Sequence, residues 1–265
     1  EILDQVVSNY ETEKNKLMEK LQEVCSLLFQ RQNLLVSVTG GREGYAALRN
    51  MSDQITDGLY ADTEKESIEI SLPDQKNEGF KDASQIQYVS LAGNYAQSGF
   101  SYHGAMRVFK VIMNYEYLWQ NIRVKGGAYG CSTNVGRNGD VCFLSYRDPN
   151  LERTLEVYRG VTDYLKEFEL DERGMTRFVI GAFSELDAPL TPMSQGRRSL
   201  LSYLTGVSYE MIQKEREQAL HTCPQDIRNL AETMQAVLDH SYICAIGNEG
   251  KLQEEADLFD VLKTL

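Results

Sequence analysis

Three histidines in 265 residues leave little material for a metal centre. His103, His221 and His240 lie far apart in the chain, and none has a His or Glu three or four positions further on, the spacing that sets two ligands on one helical face. His221-Thr-Cys223 is a lone HxC and reads as part of a loop. The five cysteines are an odd number without a close CxxC pair, which argues against a disulfide framework or a zinc ribbon and for free thiols in a reducing compartment. Basic side chains are also short, 27 Lys and Arg against 39 Asp and Glu, for a net charge of −12. That balance argues against a nucleic-acid partner, which needs clustered Lys and Arg to neutralise phosphates. No apolar run approaches the ~20 residues of a membrane span. The first residues, Glu1-Ile2-Leu3-Asp4, lack an initiator Met and the basic-then-apolar pattern of a signal peptide, so the chain reads as a piece of something longer.

What is present is an ordinary globular composition, 42% hydrophobic, 25% charged and 9% aromatic, rich enough to bury a core. Its length corresponds to one or two domains at about 150 residues each. Apolar residues at Val6, Val7, Tyr10, Leu17, Leu21, Val24, Cys25 and Leu28 recur with helical spacing and predict a long amphipathic helix over 3–28. The β-branched run Asn33 to Thr39, stopped by Gly40-Gly41, predicts a buried strand, and a helix follows with Ala46, Leu48, Met51, Ile55 and Leu59 inside. A polar stretch over 61–84, containing the alternation Ile68 to Leu72 and the loop-like Asp74 to Gly79, predicts a linker. Gln85 to Ala92 alternates as a strand with one face differently covered, and Gly104 to Ile122 is apolar around its whole circumference, which predicts a central helix. Asn138-Gly139 predicts a hairpin between 128–135 and 141–146. With those two residues as the turn, Cys142 lies opposite Val135 and Cys131 opposite Tyr146, a register that disfavours a disulfide. Asp148-Pro-Asn150 caps a helix to about Phe168 and Asp171 caps the next. Helices near 195–203, 208–218 and 224–238, a strand over 241–247 and a helix over 251–262 complete the reading. Strands interspersed with helices point to an α/β (α+β) fold, a mixed β-sheet covered by helices.

Chemistry concentrates in Arg123-Val-Lys-Gly-Gly-Ala-Tyr129. Arg123 ends an apolar helix, Gly126 and Gly127 allow another chain to approach the backbone closely, and Tyr129 begins a strand. The guanidinium fork suits a peptide carbonyl or carboxylate, and the phenol suits a developing oxyanion. The same residues also read as an Arg answering the helix dipole, a glycine C-cap and a half-buried Tyr. A phosphate loop is the weaker reading, because these glycines end a helix rather than begin one.

The run Tyr117-Leu-Trp119-Gln-Asn-Ile-Arg123-Val-Lys-Gly-Gly-Ala-Tyr129-Gly, followed by Ser145-Tyr-Arg-Asp-Pro-Asn150, resembles the C-terminal half of the pitrilysin or insulinase family of zinc metallopeptidases. Within that family it resembles the presequence protease branch. Residues 85–265 follow the order of the last of the family's homologous domains, residues 1–60 look like the tail of the preceding one, and 61–84 join them. The resemblance implies a split active site. Zinc is bound by the N-terminal half of the same polypeptide, through an inverted His-x-x-Glu-His motif and a distal Glu, and the last domain closes a chamber over it. Arg123 then grips the backbone of an unfolded peptide substrate, Tyr129 hydrogen-bonds the scissile carbonyl or its tetrahedral intermediate, and Gly126 and Gly127 let the substrate strand lie close. It implies no nucleic-acid or membrane partner and an intracellular location, in the bacterial cytoplasm or an organelle matrix. This chain carries no His-x-x-Glu-His, so by itself it is expected to bind no catalytic zinc and to cleave nothing. Two alternatives stay open: a noncatalytic peptide-binding or scaffolding domain of the same fold, and an acidic interaction domain in which the Gly-Gly-Ala-Tyr segment is only structural. The acidic surplus either lines the chamber and attracts cationic peptides or is a solvated surface.

Overall fold

The computed structural model describes residues 2–61, 74 and 76–265. Two compact units divide the chain: Glu1–Leu72 with Leu190–Gly206, and Pro73–Pro189 with Val207–Leu265. The break at 190–206 has no counterpart in the expected boundaries, a polar linker over 61–84 between 1–60 and 85–265. The alternation Ile68 to Leu72 lies outside the described residues.

In the first unit the long helix expected over 3–28 is α1 (Ile2–Ser8) followed by α2 (Tyr10–Leu28). The helix expected to follow Gly41 is α3 (Arg42–Asn50) and α4 (Ser52–Asp57). The buried strand expected over 33–39 does not form. Arg31–Asn33 is a 3-10 turn, and Leu34, Leu35, Val36 and Val38 are exposed. A β-branched run becomes a strand only when a neighbour accepts its hydrogen bonds, and among the described residues the unit's one bridge joins Gln30 to Tyr60 instead.

The second unit is a mixed six-stranded sheet with helices packed on one face. Its strands are β1 (Glu78–Asp82), β2 (Gln87–Asn94), β3 (Gly130–Val135), β4 (Asp140–Asp148), β5 (Tyr242–Asn248) and β6 (Val261–Thr264). They are ordered β3-β4-β2-β5-β1-β6; β1 runs parallel to β5 and β6, and the other pairs are antiparallel. The stretch expected to be loop-like at 74–79 thus leads directly into a strand. The helix expected over 251–262 is shorter, α12 (Glu249–Glu254), and the chain ends as β6 beside β1. Gly79 permits this, because a Cβ there would lie 2.7 Å from Leu262 Cδ1.

Alternation along the strands decides which face is covered. Val89 and Leu91 of β2, Val141 and Phe143 of β4, and Ile243 and Ala245 of β5 are buried, while Tyr88, Leu144, Tyr146 and Tyr242 between them are 37–42% exposed. Over the buried face lies α5 (Ala105–Ile112), whose Val108, Phe109 and Ile112 are fully buried. Each such side chain contributes about 1.5–3 kcal/mol by leaving water. Around it pack α6 (Glu152–Arg159), α7 (Val161–Lys166), α8 (Glu172–Leu186), α10 (Tyr209–Leu220) and α11 (Pro224–Asp239), whereas α9 (Pro192–Leu204) belongs to the first unit. Asp171 caps α8 as expected, accepting from the Gly174 N–H at 2.7 Å.

The β3–β4 turn is one residue wider than the sequence suggests. Gly136 N–H donates to the Asp140 carbonyl at 2.7 Å, Gly139 N–H donates to Gly136 at 3.2 Å, and Gly139 has a φ of +98°. This is a three-residue loop with a glycine in the left-handed position, and it shifts the pairing: Cys142 faces Asn134 and Cys131 faces Ser145. All five cysteines are free.

Candidate functional site

The apolar helix that begins as α5 continues through two π-helical stretches, Met113–Tyr117 and Trp119–Val124. Such i→i+5 turns are rare and concentrate at functional positions. The first places Asn114 against the outer edge of β3. Its carboxamide accepts from the Thr133 N–H at 2.6 Å and donates to the Thr133 carbonyl at 3.4 Å, replacing a neighbouring strand and blunting that edge. The second places Arg123 over Trp119, with the guanidinium carbon 4.1 Å from the ring centroid.

Gly126 and Gly127 end this helix. The Gly127 N–H donates to the Arg123 carbonyl and the Ala128 N–H to the Ile122 carbonyl, at 3.0 and 3.1 Å. Gly127 has a φ of +82°, and a Cβ on Gly126 would come within 2.4 Å of the Ile122 carbonyl. Both glycines are therefore required by the turn itself. The turn is also tied to the second half of the sequence motif: Asn150 Nδ2 donates to the Gly126 carbonyl at 2.6 Å. Asn150 N–H and the Thr154 hydroxyl in turn donate to the fully buried Asp148 carboxylate, at 2.9 and 2.7 Å. Asp148 thus closes its own turn and reaches Thr154 in α6, instead of capping the first free N–H groups of a helix. Lys251 Nζ donates to the Pro149 carbonyl. The two separated stretches of the motif form one hydrogen-bonded assembly.

Tyr129 emerges from it 64% exposed. Its N–H donates to the Arg147 carbonyl at 3.3 Å. The Arg123 and Arg147 guanidinium carbons lie 5.8 and 5.9 Å from its ring centroid. Tyr146 packs edge-on against it at 5.6 Å, and Tyr88 against Tyr146 at 5.2 Å. Neither Arg123 nor Arg147 forms an ion pair with any described residue. Arg147 is the one described non-glycine residue with positive φ, +50°. It sits where the β2–β4 register slips, with Gln87 facing Asp148 but Val89 facing Ser145. An extra residue in one strand turns a side chain away from the alternating pattern. Beside the assembly, burial pushes the Cys131 thiol up to about 11, against a small opposing effect of Arg123.

The structure therefore brings together Arg123, Gly126, Gly127 and Tyr129, the residues singled out from the sequence, and adds Trp119, Tyr146 and Arg147. Arg147 carries no local sequence signal: the inward alternation Val141, Phe143, Ser145 resumes at Asp148, one position late, only because the pairing with β2 slips there. Among the described residues no three His, Cys, Asp or Glu side chains converge to hold a metal ion, so they do not supply a zinc ligand set.

Residues 77–249, about two thirds of the chain, match the family described as the PreP C-terminal domain. The chain belongs to that family. Among relatives, the PreP-type chain is 37% identical over 256 residues to the protein named HypA from Clostridium perfringens, covering 96% of this chain and 26% of that protein. It is 30% identical over 259 residues to presequence protease 1, chloroplastic/mitochondrial, from Arabidopsis thaliana, covering 94% and 24%. It thus spans about a quarter of the length of these curated relatives. In fold it is similar to a protease from Helicobacter pylori (TM-score 0.58, 14% identity, 86% of this chain and 58% of that one). It is likewise similar to a peptidase M16 inactive domain from Pseudomonas fluorescens (TM-score 0.52, 13% identity, 77% and 51%). The mixed sheet with helices on it is the fold expected of this family, and no helix among the described residues is long and apolar enough to cross a membrane.

Proposed function

We propose that this chain is the C-terminal part of a zinc-dependent oligopeptidase, closing a chamber whose metal is held by the N-terminal half of the same polypeptide. The observation that carries the reading is the exposed Tyr129 phenol beside two guanidinium groups that have no carboxylate partner among the described residues. Arg123 binds a backbone carbonyl of an extended peptide through its planar fork. Tyr129 donates to the scissile carbonyl oxygen as it gains negative charge, an interaction strongest in the transition state. Gly126 and Gly127 hold the turn that presents both side chains, and Gly127 leaves the backbone there open to an approaching strand. The sheet edge at β3 is blunted by Asn114, which leaves the peptide the open corner beside Tyr129. The substrates are unfolded peptides, a reading supported by a presequence protease among the relatives, and the compartment is an organelle matrix or the bacterial cytoplasm.

A noncatalytic peptide-binding or scaffolding role is the second reading. It draws on the same exposed Tyr129 and Arg123, which could hold an extended peptide without any chemistry opposite them. Steady-state hydrolysis by the complete polypeptide separates the two. Under the first reading Tyr129→Phe lowers kcat with little change in KM, and Arg123→Ala raises KM. A wild-type polypeptide that binds peptide but does not hydrolyse it supports the second.

A further inference from the structure

The proposed function gives Arg147 no task, yet two observations single it out. Its backbone stands at φ +50° at the end of β4, a region that L side chains with a Cβ occupy at a cost and glycine occupies freely. It also meets Tyr129 twice, its carbonyl accepting from the Tyr129 N–H at 3.3 Å and its guanidinium lying 5.9 Å from the Tyr129 ring centroid. For the fold alone, glycine would serve better at this bulge. An arginine there costs stability, and what its side chain touches is the candidate transition-state donor. Strained non-glycine residues of this kind concentrate where geometry serves a site. The guanidinium forms no ion pair with a described residue that would explain it as a structural bridge.

We propose that Arg147 is a positioning residue for Tyr129, its guanidinium fixing the phenol ring in the orientation that meets the substrate carbonyl. The assignment rests on the peptidase reading of Tyr129. A cation over a tyrosine face restricts the ring, and the bulge sets the height of the arginine relative to it. Because the effect passes through an interaction made in the transition state, it falls on kcat and leaves KM nearly alone.

The test uses the complete polypeptide with its metal and a flexible peptide substrate, comparing wild type, Arg147→Gly, Arg147→Lys, Tyr129→Phe and the Arg147→Gly/Tyr129→Phe double variant. Arg147→Gly is expected to melt at or above the wild-type temperature while kcat falls about fivefold to tenfold with KM within about twofold, the scale of one cation–π contact. Arg147→Lys, keeping the charge, restores part of kcat. In the Tyr129→Phe background, which lacks the hydroxyl being aimed, Arg147→Gly costs nothing further. Full activity in Arg147→Gly, or an equal loss in both backgrounds, overturns the proposal. So does a large drop in melting temperature in Arg147→Gly, which would make Arg147 structural. If Tyr129→Phe alone retains wild-type activity, the peptidase role of Tyr129 fails first, and that result is distinct from any seen with Arg147.

Discussion

At Gly126 and Gly127 the backbone and the site make the same demand. Gly127 stands at φ +82°, and a Cβ on Gly126 would press on the Ile122 carbonyl. Gly127→Ala should therefore lower stability by about 1 kcal/mol, seen as a melting temperature about 2–4 °C lower. Gly126→Ala should cost more, and both should lower kcat by moving Tyr129. Arg123→Ala, which leaves that turn intact, should weaken capture of an extended peptide without a comparable change in melting temperature, as calorimetric titration would show. The cysteines offer a separate check. Cys131 is partly buried with its thiol pushed up to about 11, whereas Cys223 is exposed. Brief alkylation near pH 8 followed by mass spectrometry should find Cys223 labelled and Cys131 spared, because the thiolate is the reacting form. Equal labelling would contradict the burial assigned to Cys131.

Among the elements, one carboxylate ties the turn of the β3–β4 hairpin to α5 and α10. Glu215 of α10, largely buried, accepts from Arg137 Nε at 2.7 Å and from Arg137 Nη2 at 2.6 Å, and pairs with Arg107 of α5 at 3.4 Å. The Tyr102 ring lies under both guanidiniums, at 5.9 and 5.6 Å. Glu215→Ala leaves two cations without their counter-charge. The penalty for a buried pair, reduced because both arginines keep some water, comes to about 2 kcal/mol, measurable as a lower denaturant midpoint with an unchanged slope. This hairpin also shows how far the sequence could be read. Alternation located β2, strand-like runs located β4 and β5, and Asn138-Gly139 located the turn, but the register slipped by one because Gly139 takes the bulge position of a three-residue loop. The strand expected over 33–39 and the helix expected to run to 262 failed for a related reason: a short apolar segment takes the conformation its neighbour allows, and β6 exists because β1 lies beside it. Arg123 and Tyr129 were legible because the helix end, the glycines and the strand start are local. Arg147 was not, since the bulge that turns it depends on pairing with β2, some sixty residues earlier.

For the whole molecule, burial sets an alkaline limit. Tyr95, Tyr117 and Tyr164 are each pushed up to about 12, mainly by burial, and Tyr158 well above the ordinary value of 10. Unfolded, these phenols would ionise near 10, so the stability they contribute is fully present below that pH and is lost as pH rises from about 10 toward 12. Unfolding followed by circular dichroism should coincide with the rise of tyrosinate absorbance in that window, and a fold intact with ionised tyrosines at pH 12 would contradict the packing. The charge of −12 is open to the same kind of test. If the acidic surplus steers cationic peptides, affinity falls as salt rises, and a flat response leaves it a solvated surface. The split site is tested by hydrolysis of a flexible cationic peptide by the complete polypeptide, with and without chelator, for wild type and Tyr129→Phe. Hydrolysis is expected to be chelator-sensitive and to fall by about two orders of magnitude in the variant, the scale of losing one oxyanion donor. Hydrolysis at the wild-type rate in Tyr129→Phe would contradict the split site.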